Sequence, residues 1–408
     1  MSFRIPSISL RVLFNTRVMA SVYLIIMCVQ IVAIEGYGVS PLKVGLMALA
    51  PLVFLLKTPY ISKALLLGAL YWLICYFSAT FNGDMRFSTI GYLGMFIVTF
   101  ITYYNLIHSG AFTLQYFIKL LRAIIIAFGI TLLMQQICIL VGIRSLFFIN
   151  LDNQFFLSLT KLPVWCIEPS HTARVLAFLM LAYWRCLQVQ NQGEKITLPL
   201  LFSIEHRWVS ISFLWVMLTM GSGTAFIALG VLSLYFIEKR TIVYVLPLLV
   251  GLFFLGQRME LEQMNRALLV SKAVTTGDTK EIVEADGSAA VRILPLVNTL
   301  TKLDLSDRDT WFGKGTVSLQ QRAQWARNIG SAKMGNIDQY GLLSYLVVLC
   351  IIFSCCIYRF LSLETLLSFI LIGLTMNNFA YIWGCYFILL TVRYFRNNSL
   401  IYDGENNK

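Results

Sequence analysis

The chain has 408 residues, of which 58% are hydrophobic and only 13% charged, with a formal net charge of +12. Apolar runs of about seventeen to twenty-five residues recur along it, which excludes a soluble or disordered chain and predicts a polytopic helical membrane protein. Residues 257–340 carry a net charge of only +1, so +11 lies on the rest of the chain, beside the apolar runs. That distribution marks membrane topology and argues against a nucleic-acid surface.

In chain order, the predicted spans are 18–34, 41–56, 61–79, 88–107, 117–141, 172–187, 208–220, 224–237, 243–256, 342–357, 362–376 and 379–394. The first is not followed by a small-residue cleavage site and reads as a span, not as a signal peptide. If every run crosses, Arg4, Arg11, Arg17, Lys57, Lys63, Lys119, Arg185, Lys195, Arg207, Lys239, Arg240, Arg359, Arg393 and Arg396 fall on one side. Basic residues collect in the cytoplasm, so both termini are expected there. Parity depends on 208–237, one uncharged run cut by Gly221-Ser222-Gly223. Two short spans meeting at the outer face keep Lys239 and Arg240 on the basic side, whereas one long helix would not. A break at that depth is tolerated only where protein or a water-filled cavity covers the backbone.

The expected fold is therefore an all-α polytopic membrane protein of about twelve transmembrane helices, with a large, partly helical outer loop between spans 9 and 10. Residues 1–256 form the N-terminal membrane region, 257–340 the extracytoplasmic loop, and 341–408 the C-terminal membrane region and tail. Within the loop, Leu261, Met264, Leu268 and Leu269 recur at helical spacing. Ser288 can cap a helix through Val291 and Leu294, and Leu319, Ala323 and Ala326 give a third amphipathic piece. Such helices would lie over the membrane region as a lid.

Eight of the nine cysteines fall in or beside predicted spans, leaving Cys166 in an outer loop, and the three histidines are scattered, so neither a disulfide framework nor a metal site is expected. There is no P-loop or dinucleotide fingerprint, and no cofactor is expected. Most aromatic residues read as interfacial belts, including Tyr103, Tyr104, Trp184, Tyr340 and Tyr394. Trp311 and Trp325 instead lie in the long outer loop.

Five features stand in order along residues 160–360. They are Glu168-Pro169-Ser170 at the threshold of a span, the Leu218-Thr219-Met220-Gly221-Ser222-Gly223-Thr224 turn, Arg292, the Trp311-Phe312-Gly313-Lys314-Gly315 segment, and Gln339-Tyr340-Gly341-Leu342-Leu343 opening a late span. In this the chain resembles the O-antigen polymerases of the Wzy type, although many relatives carry arginine after the serine of the turn, where this chain has Gly223. The resemblance implies a metal-independent glycosyltransferase in the bacterial inner membrane, working at its periplasmic face. A growing glycan on undecaprenyl pyrophosphate would be donor and a lipid-linked repeat unit acceptor. The bilayer, a chain-length regulator and a flippase would be its partners, with no nucleic acid involved. An O-antigen ligase, which moves the finished glycan to lipid A core, shares much of this plan. A lipid-linked oligosaccharide flippase is the reading from another class, but two similar halves and short loops would be expected of it.

Such a reaction needs a base for the attacking hydroxyl and cations for the departing pyrophosphate. Glu168 and His171 are the candidate bases, three residues apart and on one face if a helix begins near Pro169. An ordinary helix start, with Glu168 favourable to the dipole, is the alternative. Arg174, one turn deeper, either snorkels to the surface or faces a cavity. Arg292 is placed in the site by its position in the resemblance. Arg258, Arg266, Arg308, Lys314, Arg322 and Arg327 are the other candidate substrate ligands, because a guanidinium stays charged and binds phosphate oxygens in pairs. Salt bridges of Glu262 to Arg258 and Arg266, and plain solvation of Arg322 or Arg327, are the competing roles. The Gly313-Lys314-Gly315 turn could offer backbone N–H groups to phosphate or be a simple loop turn.

Overall fold

A computed structural model describes residues 15–30, 40–82, 86–143, 145–146, 149–150, 161–237, 294–299, 301, 303–315, 333–334 and 337–406. Apart from a two-rung antiparallel ladder, Ser145–Leu146 with Ile149–Asn150, every regular element among them is helical. Six are α1 (Thr16–Cys28), α2 (Pro41–Ala48), α3 (Ala50–Lys57), α4 (Lys63–Phe81), α5 (Phe87–His108) and α6 (Leu114–Val141). They are followed by α7 (Pro169–Gln190), α8 (Leu198–Leu201), α9 (Arg207–Thr219) and α10 (Gly223–Ser233). The last four are α11 (Arg308–Phe312), α12 (Ile337–Ile351), α13 (Leu363–Ile372) and α14 (Ala380–Asn406), and α12 runs on as a π turn over Ile352–Cys356.

The helix starts follow local chemistry. Asn15, Ser40, Ser62, Thr113 and Ser362 each accept a hydrogen bond from an early backbone N–H of the helix that follows. Gly142 and Gly373 end α6 and α13 in the left-handed region that closes a helix without Cβ strain. Among the described residues, four helices are long and apolar enough to cross a membrane: Lys63–Phe81, Phe87–His108, Leu114–Val141 and Ile337–Cys356. Large apolar side chains stand exposed along them, Leu66, Phe77, Ile130, Ile137 and Leu140 among others. Such an arrangement is compatible with a helical membrane protein, in which those faces meet lipid tails. The predicted span 41–56 is interrupted at Leu49, with Pro51 in the first turn of α3. The predicted span 243–256 and the proposed loop helices around Leu261 and Leu319 lie outside the described residues; of the helix predicted through Val291 and Leu294, residues 294–299 are described and helical, with Leu294 buried.

Two helices make the centre. In α7 every residue from Val175 to Tyr183 is buried, and α14 is buried from Ala380 to Val392 and packs on α7, α1 and α5. Small residues let the backbones close: a Cβ at Gly384 of α14 would press on Met27 and Cys28 of α1. Burial also corrects the reading of the aromatic residues as belts. Tyr103, Tyr104, Trp184 and Tyr340 are all buried, and Tyr394 is half-buried. The Tyr103 ring stacks on Phe387 and its hydroxyl pairs with Thr391 Oγ1 at 2.7 Å, so a neighbouring helix satisfies the polar tip that headgroups would otherwise have to meet.

Contacts sort the helix ends into two sets. At one end Lys63 Nζ donates to the Ser354 carbonyl and Arg393 to those of Phe353 and Ile357, which caps the π turn with cations. Arg17 lies over Tyr116, and Lys195 Nζ reaches the Ile237 carbonyl. There too Arg185 holds Glu364 through two bonds of 2.8 and 3.2 Å, and Arg396 holds it at 3.1 Å. Glu364 is 4% exposed, so Glu364→Gln would leave two cations facing a neutral amide, at an expected cost of roughly 3–5 kcal/mol. Thermal unfolding in detergent checks this; a change no larger than the ~1 kcal/mol of a surface pair would mean that water already screens the triad.

The run 208–237 folds back, as its glycines predict. Its beginning and end both meet the last turns of α7, through the Tyr183 hydroxyl with His206 (2.7 Å) and the Trp184 ring with Tyr235 and Phe236. The break at Met220, followed by Gly221 at φ 73°, instead takes the Leu162 N–H on the approach to α7. Each arm, of thirteen and eleven residues, spans only ~20 Å or less.

Candidate functional site

The opposite end of the bundle holds Glu168, His171 and Arg174 together, three of the residues that the sequence singles out. Glu168 is the N-cap of α7 in extended conformation, Pro169 fills the first helical position, and no side chain caps the helix. The Glu168 carboxylate instead accepts from the Ser170 hydroxyl at 3.1 Å and lies 3.8 Å from His171 Nε2. The predicted shared face of Glu168 and His171 is therefore present. Glu168 is 41% exposed and His171 13%, so the carboxylate is open to the outside and the imidazole is set behind it.

His171 is held on three sides. Its ring stacks on Tyr381 at 4.2 Å, Phe379 closes one edge, and Nδ1 is 3.0 Å from Gln30 Oε1. Arg174, one turn on, donates to the Tyr381 hydroxyl and lies over its ring, with the guanidinium carbon 5.4 Å from the centroid. Its Nε is buried without a hydrogen-bond partner among the described residues. Arg174 thus turns inward onto Tyr381 and does not snorkel. Lys43, buried at 7% exposed in the first turn of α2, donates to the Val29 carbonyl at 2.9 Å and braces the end of α1 next to Gln30.

Gln30, Lys43 and Tyr381 were not singled out by sequence reasoning. One signal was present: the alternation of spans puts the ends of 18–34 and the starts of 41–56 and 379–394 at the same face as Glu168, so polar residues there were candidates by position.

The other quoted segments meet elsewhere at this end. Lys314 N–H donates to the Asp338 carbonyl and Gly315 N–H to the Gln339 carbonyl, each at 2.9 Å. The Ser78 hydroxyl bonds the Phe312 carbonyl, and Asn82 Nδ2 donates to the Gly313 carbonyl at 2.9 Å. Gly313 and Gly341 adopt φ 75° and 81°, and a Cβ on either would strike the other strand's backbone. The Trp311–Gly315 and Gln339–Gly341 segments thus form one interlocked strip against the end of α4. Of the two readings of Gly313-Lys314-Gly315, this favours the simple loop turn over the phosphate cradle, because the N–H groups of Gly313, Lys314 and Gly315 are all engaged with protein carbonyls. The side chains of Arg308 and Lys314 stand exposed on this strip, on a different element from Glu168, His171 and Arg174. Arg258, Arg266, Arg292, Arg322, Arg327 and Trp325 lie outside the described residues. Among the described residues no group of three or more His, Cys, Asp or Glu is placed to hold a metal ion.

Compared with protein-family models, with curated proteins and with solved structures, the chain matches none.

Proposed function

We propose that the chain is a membrane glycosyltransferase of the O-antigen polymerase type, joining undecaprenyl-pyrophosphate-linked repeat units at the outer face of a bacterial cytoplasmic membrane. The observation that carries the reading is the trio at the start of α7. A half-exposed carboxylate, an imidazole 3.8 Å behind it and an arginine one turn deeper stand at the end of the bundle away from the basic cluster. With the basic end taken as cytoplasmic, this end faces outward, and the fold-back at Gly221 is consistent with both arms of 208–237 crossing. The full count of about twelve spans, cytoplasmic termini and an outer loop at 257–340 belong to the same proposal.

In the reaction, the acceptor hydroxyl gives its proton to the Glu168–His171 pair, and its oxygen bonds to the anomeric carbon of the donor sugar. The anomeric C–O bond to pyrophosphate breaks, and undecaprenyl pyrophosphate leaves with the electron pair. A positioned base supports the first event. Cations support the last, and Arg174 and Arg292 are assigned to it, with Arg308 and Lys314 on the neighbouring strip as contacts to the glycan or phosphate.

Purified protein in lipid is expected to extend a lipid-linked repeat without ATP and to keep doing so in excess chelator, because arginines neutralise the leaving group. Abolition by chelator with rescue by magnesium would overturn that assignment. Transfer to lipid A core in place of a second repeat would make the enzyme a ligase, and movement of the lipid without a new glycosidic bond would make it a flippase.

A further inference from the structure

We propose that Gln30 is a positioning residue that fixes His171 in the Nδ1–H tautomer and so turns Nε2 toward Glu168. The inference rests on the reading of the trio as a reaction site, but its geometry is independent of the substrate. Gln30 follows the last turn of α1 and is pinned on both sides: its N–H donates to the Trp165 carbonyl at 2.8 Å, and the preceding Val29 carbonyl accepts from Lys43 Nζ. The Ile167 N–H points at Gln30 Oε1 over 3.4 Å. A backbone N–H can only donate, so the amide presents its oxygen on that side. The same oxygen is 3.0 Å from His171 Nδ1, and an acceptor oxygen requires a donor there. Nδ1 therefore carries hydrogen, and in the neutral ring Nε2 holds the lone pair, 3.8 Å from Glu168 Oε2.

Among the described residues, the charged and ionisable groups around the ring include Glu168 and Arg174 on α7, Tyr381 on α14, and Lys43 behind Val29. Gln30 is the neutral member of the set, able to orient the ring without adding charge beside the Glu168 carboxylate. Its role parallels the outer-shell acceptors that select the tautomer of a working histidine elsewhere.

The test is direct because the chain has only three histidines. Nitrogen-15 spectra of histidine-labelled protein in nanodiscs, with the His171 signals identified by their loss in His171→Asn, report the tautomer of the neutral ring. Wild type is expected to be Nδ1-protonated, Gln30→Glu to keep that form, and Gln30→Leu to gain the Nε2–H form. Chain extension should follow. Gln30→Leu is expected to lose ~10- to 100-fold in kcat with KM unchanged, and Gln30→Glu to retain most of it, since a carboxylate also accepts from Nδ1. An Nε2–H ring in wild type overturns the proposal even if Gln30→Leu fails to fold. So does an unchanged tautomer in a folded Gln30→Leu, or equal loss of activity in both variants. Normal extension in Glu168→Gln and His171→Asn would instead sink the base assignment, while the spectra still judge Gln30.

Discussion

Chain extension by Glu168→Gln is expected to fall ~10²- to 10⁴-fold, the contribution typical of a positioned proton acceptor, with the amount of folded protein unchanged. The substitution keeps the size of the side chain and one oxygen for the Ser170 hydroxyl, but removes the negative charge 3.8 Å from His171 Nε2. A plain helix-start role predicts something different: loss of a favourable charge at the helix N-terminus costs only ~0.3–1 kcal/mol and touches stability. Extension rate and folded amount must therefore be measured together, on Glu168→Gln and His171→Asn. A dead His171→Asn beside a normal Glu168→Gln gives the base role to His171 alone, and normal extension in both removes this segment from the chemistry.

Gly341→Ala is expected to lower the folded amount sharply and to release the interlocked strip. Gly341 sits at φ 81°, ψ 168°, a region almost restricted to glycine, where a Cβ residue costs ~1–3 kcal/mol. The added Cβ would also collide with the Trp311 carbonyl, and overpacking of that kind adds ~1–3 kcal/mol. Gly313→Ala should behave alike, since its Cβ meets the Gln339 carbonyl. Gly230→Ala is the control: no described residue lies within 4 Å of its Cβ site in α10, so the change should be neutral or mildly stabilising. Unfolding temperature in detergent reads all three, and a Gly341→Ala protein as stable as wild type would mean that the strip does not hold the two segments together.

The sequence made much of the fold legible because lipid imposes a simple rule. Runs such as 63–81 and 114–141 must close their own hydrogen bonds and so become helices, and their polar ends mark where they stop. Glu168 and His171 were legible for the same reason: Pro169 fixes the helix start, and a spacing of three puts both on one face. The break at Gly221 was readable from Gly221-Ser222-Gly223 together with the side that Lys239 and Arg240 must occupy. What hydropathy does not encode is the partner across a helix pair. Tyr103 and Trp184 have the composition of belt residues and are buried, because the choice between headgroup and neighbouring helix depends on packing. Gln30 and Tyr381 are 141 and 210 positions from His171 in numbering or in the same contact shell through its ring, and no local pattern joins them. The engaged N–H groups of Lys314 and Gly315 were hidden likewise, since their acceptors, the Asp338 and Gln339 carbonyls, lie on the far side of the loop.

The measurement that bears most directly on the central claim is a lipopolysaccharide gel of the strain that carries this gene, after its deletion and after return of wild type or Glu168→Gln. Deletion should abolish the ladder of chain lengths and leave core with a single repeat; wild type should restore the ladder, and Glu168→Gln should not. Complete loss of O-antigen on deletion, or an unaltered ladder, would contradict a polymerase.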